Sequence, residues 1–82
     1  MVEVLYFAWV RERIGIPREQ VETEAGTVGE FIEELKGRGG RYEMALSDLS
    51  SVRFAVDQQL AESATEIRDA REIAVFPPMT GG

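Results

Sequence analysis

The sequence predicts one small α+β domain in which a single main helix packs across a sheet. The apolar run over residues 2–10 is interrupted only by Glu3 and is rich in branched and aromatic residues, which is typical of a central strand. A capped amphipathic helix is expected from Thr27 onward. Residues 52–56 and 73–76 have the composition of two further strands. With 82 residues, the chain has room for one such domain and for no interdomain cleft.

Composition and charge exclude several classes of function. Lysine and arginine number 9 against 15 acidic residues, so the formal net charge is −6 and a footprint for nucleic acid is absent. The same charge disfavours an anionic membrane surface, and no apolar run is long enough to span a membrane. The chain has no cysteine and no histidine, which removes thiol and imidazole catalysis and the commonest zinc ligands. We therefore expect a cytoplasmic protein without a metal site or catalysis of its own.

The N-terminal part is predicted to form a hairpin with a long connection. Residues 11–13 end the first strand, and residues 15–17 mark a turn. Residues 20–24 alternate weakly between apolar and polar side chains, which indicates a short, half-exposed second strand.

The main helix has the strongest local signal in the chain. Thr27 and Glu30 form a capping-box pattern, in which the threonine hydroxyl accepts a backbone hydrogen bond and the glutamate reaches back to the cap. The apolar stripe that follows consists of Val28, Phe31, Ile32 and Leu35. The expected stop signals are Gly37, Gly39 and Gly40. A second, short amphipathic helix is expected, with one face formed by Tyr42, Ala45, Leu46 and Leu49.

The C-terminal half is predicted to contain three strands. After the strand at residues 52–56, residues 57–59 would form a turn without glycine, and Leu60 would start a short return strand. A polar connection over residues 63–71 leads to the last strand. Pro77 and Pro78 must end that strand, because proline cannot donate to a strand ladder.

The C-terminal tail, residues 77–82, is the candidate functional site. Pro77 and Pro78 form a stiff base, and Gly81 and Gly82 lack a β-carbon. Fully extended, the tail could carry its terminal carboxylate ~20 Å beyond the sheet, into a channel too narrow for side chains. The alternative is an ordinary frayed terminus. The sequence thus predicts a folded domain over residues 1–76 and a flexible tail over residues 77–82.

Several segments match a known family in order and spacing. They are residues 4–8 and 10–12 at the start, Thr27 and Val28 at the helix cap, and residues 72–82 at the end, where Phe-Pro-Pro-x-x-Gly-Gly is the most specific part. On these residues the sequence resembles the small subunits of molybdopterin synthase, which are ubiquitin-like sulfur carriers. The resemblance implies the β-grasp fold, in which one main helix packs across a mixed sheet and an extended Gly-Gly tail follows the last strand.

The resemblance also implies a chemistry and a set of partners. An adenylating enzyme similar to those that activate ubiquitin would use ATP to adenylate the Gly82 carboxylate, and a persulfide donor would then convert it to a thiocarboxylate. The large synthase subunit would hold the cyclic pyranopterin precursor of the molybdenum cofactor and take the sulfur from Gly82. Two small and two large subunits would form a heterotetramer, and no cofactor would stay bound to this chain. The residues that would thread into the partner sites are Pro77, Pro78, Met79, Thr80 and Gly81.

Three apolar residues match positions that in this family contribute to a docking surface beside the tail. They are Phe7, Leu60 and Phe76. The alternative is that all three are ordinary core residues of a thin domain. An exposed aromatic cluster on a small chain would favour the docking surface.

Two other functions remain open at this point. The related sulfur carrier of thiazole (thiamine) biosynthesis would share the adenylation and thiocarboxylate steps. A ubiquitin-like binding module or protein modifier would share the fold but would never carry sulfur. The Phe-Pro-Pro base and the opening segment favour the molybdopterin branch.

Overall fold

A computed structural model describes residues 1–47 and 51–78 of the chain. The described residues form five strands and three helices: β1 (Val2–Tyr6), α1 (Ala8–Ile14), β2 (Arg18–Val21), α2 (Val28–Lys36), α3 (Gly40–Leu46), β3 (Arg53–Val56), β4 (Gln59–Ala61) and β5 (Glu72–Phe76). The strands make one mixed sheet in the order β2-β1-β5-β3-β4. Only β1 and β5 pair in parallel, and the other neighbours are antiparallel. This is the β-grasp arrangement that the resemblance implies.

The first strand is shorter than predicted, and a helix that was not predicted follows it. The expected strand over residues 2–10 is wrong beyond Tyr6, because α1 begins two residues later. Val10 and Ile14 are both buried and lie one helical turn apart, which gives α1 its inner stripe. Gly15 ends the helix in the left-handed conformation, with a φ of 100°. Composition alone could not separate the strand from the helix, since the helix begins with three apolar residues that continue the run of the strand. Residues 11–13, which were expected to end the strand, lie inside α1.

The second strand lies earlier in the chain than predicted. The expected segment was residues 20–24, whereas β2 starts at Arg18 and ends at Val21. Val21 pairs with Val2, which is the first residue of β1. An edge strand can only extend as far as its partner, so the ladder ends there.

The core lies between one face of the sheet and the helices. The predicted stripe of α2 is confirmed, because all four of its apolar side chains are buried at 0–1% exposure. Because side chains alternate between the two faces of β1, three of them point into the hydrophobic core: Val2, Val4 and Tyr6. Ala45 and Leu46 on α3 are buried as predicted, whereas Leu49 lies outside the described residues. Each large side chain buried in this way contributes about 1.5–3 kcal/mol.

Hydrogen bonds from two sides fix the start of α2. The Thr27 hydroxyl accepts from the Glu30 amide at 3.2 Å, as predicted. The Glu30 carboxylate accepts from the Gly26 amide at 2.7 Å, one residue before the predicted partner. The first two amides of the helix donate to carbonyl oxygens of the loop at residues 63–65. The loop that leads to β5 therefore caps the N-terminus of α2, and the backbone amides in the first turn of this helix all have acceptors.

A two-residue turn without glycine joins β3 to β4. Asp57 and Gln58 have φ values of 49° and 71°, which is the geometry of a type I′ turn. The Asp57 carboxylate accepts hydrogen bonds from the amides of Arg71 and Glu72 at 2.9 and 3.0 Å. The side chain of Asp57 therefore ties the turn to the start of β5.

Replacing Gln58 by glycine should stabilise the domain. A side chain in the left-handed region costs about 1–2 kcal/mol, part of which returns as the greater freedom of glycine in the unfolded chain, so we expect a net gain of about 0.5–1 kcal/mol. Urea unfolding of Gln58→Gly measures this gain. The matched control is Gln59→Gly in β4, which should lose stability; a gain there as well would contradict the explanation.

Candidate functional site

The tail leaves from the central strand of the sheet. β5 pairs with β1 on one side and with β3 on the other, and Ile73 and Val75 are fully buried. Pro77 and Pro78 follow directly and are half-buried. Because neither proline can donate a backbone hydrogen bond, strand pairing ends at Phe76. The last four tail residues, Met79, Thr80, Gly81 and Gly82, lie outside the described residues.

The three candidate docking residues lie outside the core. The side chain of Phe7 is 45% exposed and that of Leu60 is 80% exposed. Phe76 is half-buried and does not belong to the core cluster. Their role in docking remains a prediction, but core packing does not account for them.

An apolar row crosses the face of the sheet opposite the helices. The strand register aligns Leu5 with Ala74, Ala74 with Ala55, and Ala55 with Leu60. Ala74 is only 8% exposed, although it lies on this outer face and is absent from the core cluster. Sequence analysis missed Leu5, Ala55 and Ala74. Alternation along each strand assigns these residues to one face, but which strands lie side by side is known only from the register.

Phe7 and Phe76 flank the point where the tail leaves the sheet. The Phe7 amide donates to the Val75 carbonyl oxygen at 3.1 Å, which extends the β1–β5 ladder by one step. Ala8 then adopts a φ of 51°, and the chain bends away into α1. We call the outer-face residues the docking surface, and its members are Leu5, Phe7, Ala55, Leu60, Ala74 and Phe76.

Charges of both signs surround the docking surface. Arg53 lies opposite Phe76 in the sheet register, and Arg18 lies 3.9 Å from the Glu3 carboxylate. Exposed carboxylates on α2, such as Glu33 and Glu34, lie instead on the helix side of the domain. Acidic groups of α2 therefore lie on the helix side of the domain, whereas the docking surface itself consists of apolar groups.

One carboxylate joins the end of β1 to the helices. Glu19 accepts hydrogen bonds from the Tyr6 and Tyr42 hydroxyls, both at 2.8 Å, and from Arg38 at 3.0 Å. The Arg38 guanidinium also lies over the Tyr42 ring at 5.1 Å. We call these four residues the Glu19 cluster. The Glu19 cluster holds Tyr6, the last core residue of β1, in place directly before the exposed Phe7.

Burial and hydrogen bonding shift the pKa values in the Glu19 cluster. Burial favours a higher pKa for Glu19, but the hydrogen bonds from Tyr42, Tyr6 and Arg38 outweigh it and hold the pKa below its ordinary 4.5. Burial and the hydrogen bond to Glu19 raise the pKa of Tyr6, and the same two causes raise that of Tyr42. At neutral pH the cluster therefore holds one carboxylate and two neutral phenols.

The described residues contain no group of three or more side chains that could hold a metal ion. Within residues 1–47 and 51–78, no helix is long and apolar enough to cross a membrane. An open groove lies beside β4, and its lining includes Val52, Phe54, Leu60 and Ala61. Polar residues also line this groove, namely Arg53, Glu62, Ser63 and Thr65, but it is open to solvent and does not enclose a small molecule, so the tail and the docking surface are the stronger candidates.

Comparison with known proteins gives a match over nearly the whole sequence. Residues 4–82 match the model of the ThiS family. The chain is 35% identical to a molybdopterin synthase sulfur carrier subunit of Haemophilus influenzae and to one of Escherichia coli, each over 82 residues that cover 100% of both chains.

Solved structures agree with this match. A Pyrococcus furiosus protein described as subunit 1 of a molybdopterin converting factor is 31% identical, with a TM-score of 0.76 and coverage of 95% of this chain and 97% of that one. The protein SAMP1 of Haloferax volcanii is 23% identical, with a TM-score of 0.74 and coverage of 99% and 98%. The second likeness bears on the fold alone.

Removing the charge of Glu19 should lower stability in a pH-dependent way. Because the pKa of Glu19 is lowered by folding, its contribution is present above its ordinary value of 4.5 and is lost as the pH falls through the lower, folded value. We expect Glu19→Gln to lose ~1–2 kcal/mol of unfolding free energy at pH 7 and less in acid. Urea unfolding at several pH values measures both. Glu22→Gln, an exposed neighbour, is the control, and an equal loss there would contradict the role of the cluster.

Proposed function

The chain belongs to the ThiS family, and on that premise we propose that it is a sulfur carrier and the small subunit of a molybdopterin synthase. The observation that carries the proposal is the match with two sulfur carrier subunits over the full length of both chains. The reacting group is the C-terminal carboxylate of Gly82. The chain itself is not an enzyme but donates sulfur within a heteromeric sulfurtransferase.

The carboxylate must first be activated, because it is a poor acyl donor. In a partner adenylating enzyme, an oxygen of the Gly82 carboxylate attacks the α-phosphate of ATP, and pyrophosphate leaves. The terminal sulfur of a persulfide donor then attacks the acyl carbon, and AMP leaves with its oxygen. A thiol then attacks the donor's sulfur in this acyl disulfide and forms a disulfide with the donor, and the S–S bond breaks to leave a thiocarboxylate on Gly82. No cofactor stays bound to the chain, since ATP is bound and used by the partner.

The thiocarboxylate then delivers its sulfur in the large synthase subunit. That subunit binds the cyclic pyranopterin precursor, and two such transfers build the dithiolene that later holds molybdenum. We propose an assembly of two small and two large subunits in the cytoplasm. Neither nucleic acid nor a membrane is part of this function.

The geometry of the domain suits such a carrier. Strand pairing ends at Phe76, so Pro77 and Pro78 can direct the following residues away from the sheet. Met79, Thr80 and Gly81 would pass through the partner's channel and place Gly82 at the reacting centre. The docking surface around this exit, with Phe7, Leu60 and Phe76, would fix the domain on the partner, and positioning of this kind lowers the entropic part of the barrier.

Two alternatives share the fold. The sulfur carrier of thiazole biosynthesis would use the same activation, and its large partner would be a thiazole synthase in place of a pterin-binding subunit. A protein modifier would instead form an isopeptide between Gly82 and a lysine of its target. Co-purification of the bound partner separates the first, and mass mapping of Gly82 adducts separates the second.

The intact mass of the chain tests the proposed chemistry. After incubation with ATP, the adenylating enzyme and a persulfide donor, we expect a shift equal to the exchange of one oxygen for sulfur, located at Gly82. The absence of this shift, with an adenylating enzyme that does release pyrophosphate from ATP when the chain is added, would exclude sulfur carriage.

A truncated chain supplies the matched control for that experiment. Deletion of Gly81 and Gly82 should abolish the mass shift with little change in melting temperature, because the tail is expected to add nothing to the core. A large loss of stability would mean that the tail is packed against the domain.

Substitutions at two exposed apolar residues test the docking surface. Leu60→Ala should weaken binding to the large subunit by about 2 kcal/mol, because it removes an apolar anchor. Met44→Ala is the control, since Met44 is 71% exposed but lies on α3, on the helix side. Isothermal titration calorimetry measures both affinities, and urea unfolding should show less than about 0.5 kcal/mol of change for either variant. Equal weakening by the two substitutions would remove Leu60 from the interface.

A further inference from the structure

We propose that this chain is depleted of the nucleophiles that would consume its own activated C-terminus, and that Lys36 is the one internal amine able to accept it. The inference rests on the proposed function, since it concerns a chain whose terminal glycine becomes an electrophile. An activated acyl group reacts with thiols, imidazoles, phenolates and amines that reach it. A carrier at cellular concentration is surrounded by copies of itself and partner proteins, so groups on its own surface are among those the activated glycine meets.

The sequence lacks most of these groups. There is no cysteine and no histidine, and eight of the nine basic residues are arginine. The guanidinium group of arginine stays protonated in proteins and has no free electron pair with which to attack. Serine and threonine hydroxyls are weak nucleophiles without an adjacent base, and no imidazole is available to act as one.

The two tyrosines are held in an unreactive state. Tyr6 is 1% exposed, and its hydroxyl donates to the Glu19 carboxylate. Tyr42 donates to the same carboxylate. Burial and this hydrogen bond raise the pKa of both phenols, which disfavours the phenolate that would react with an acyl group. A single carboxylate therefore restrains every phenol in the chain.

Lys36 is the only lysine, and its amine is partly shielded. Its side chain is 28% exposed, and Nζ lies 3.4 Å from the Glu33 carboxylate. Lys36 is the last residue of α2, on the helix side of the domain, whereas the docking surface lies on the opposite face of the sheet. In self-acylation, the neutral Nζ of one copy attacks the carbonyl carbon of Gly82 of another. A C–N bond forms, the bond from that carbon to the leaving group breaks, and the amine proton passes to solvent.

A chemically prepared thioester of the full chain tests this without an adenylating enzyme. The chain carrying a thioester at Gly82 is kept at neutral pH, and hydrolysis and covalent adducts are followed by intact mass. The acceptor residue is mapped after digestion, and adducts at the α-amino group are counted separately. Added butylamine shows that the thioester is reactive. The comparison variants are Lys36→Arg, the double variant Arg11→Lys/Arg71→Lys, Glu33→Gln, and Glu34→Gln as its charge-matched control.

The expected results follow from the shielding of Lys36. The unaltered chain should mainly hydrolyse, with its few internal adducts all at Lys36, and Lys36→Arg should form none. The double variant, which adds two exposed lysines, should form several-fold more. Glu33→Gln should raise the yield at Lys36, and Glu34→Gln should not. Adducts in the unaltered chain as abundant as in the double variant, or adducts on hydroxyl groups in Lys36→Arg, would overturn the proposal. Because no enzyme is used, a failure here is distinct from a failure to gain sulfur in the mass experiment.

Discussion

The parallel pairing of β1 with β5 is the constraint on which the rest of the structure depends. It joins the first strand of the chain to the last and places both in the interior of the sheet. β2 lies beside β1 on one side, and β3 and β4 lie beyond β5 on the other. Because the two strands run in the same direction, both end at the same edge. Phe7 and Phe76 therefore lie beside each other at the point where Pro77 begins the tail. Residues separated by almost the whole sequence become one site through this single ladder.

The two faces of the sheet serve different purposes. On the inner face, large side chains such as Tyr6 and Ile73 belong to the core cluster and are almost fully buried. On the outer face, the small Ala55 and Ala74 occupy the middle of the apolar row, and the larger Leu5 and Leu60 lie toward its ends. Because the side chains in the centre of the row are small, the outer face is shallower there than at the two ends of the row. The core cluster thus lies on one face, while the other carries the exposed Phe7 and Leu60.

The sequence was sufficient to predict features that depend on local patterns. It was insufficient to predict those that depend on which strands pair and in what register. The helix at Thr27 was predicted in detail because capping and a 3.6-residue period act within a few positions. The first strand was predicted to extend through Val10, because an apolar run does not reveal that the chain leaves the sheet at Ala8. Leu5 and Ala74 were not recognised as residues of the outer face, since only the register shows which face each occupies. The resemblance favoured a surface position for Phe7 and Leu60, where composition alone favoured the core, and both are exposed.

The position of β5 also has a mechanical consequence. In the proposed function an enzyme would draw the tail into a channel, and the load would then run along β5, which is hydrogen-bonded on both sides over its length. The hydrogen bonds of both ladders lie across the direction of pull, so they are strained together in shear instead of opening one after another. The Asp57 carboxylate holds the far end of the same strand through two backbone amides. The domain is therefore built to bear tension at the one point where its partners would pull.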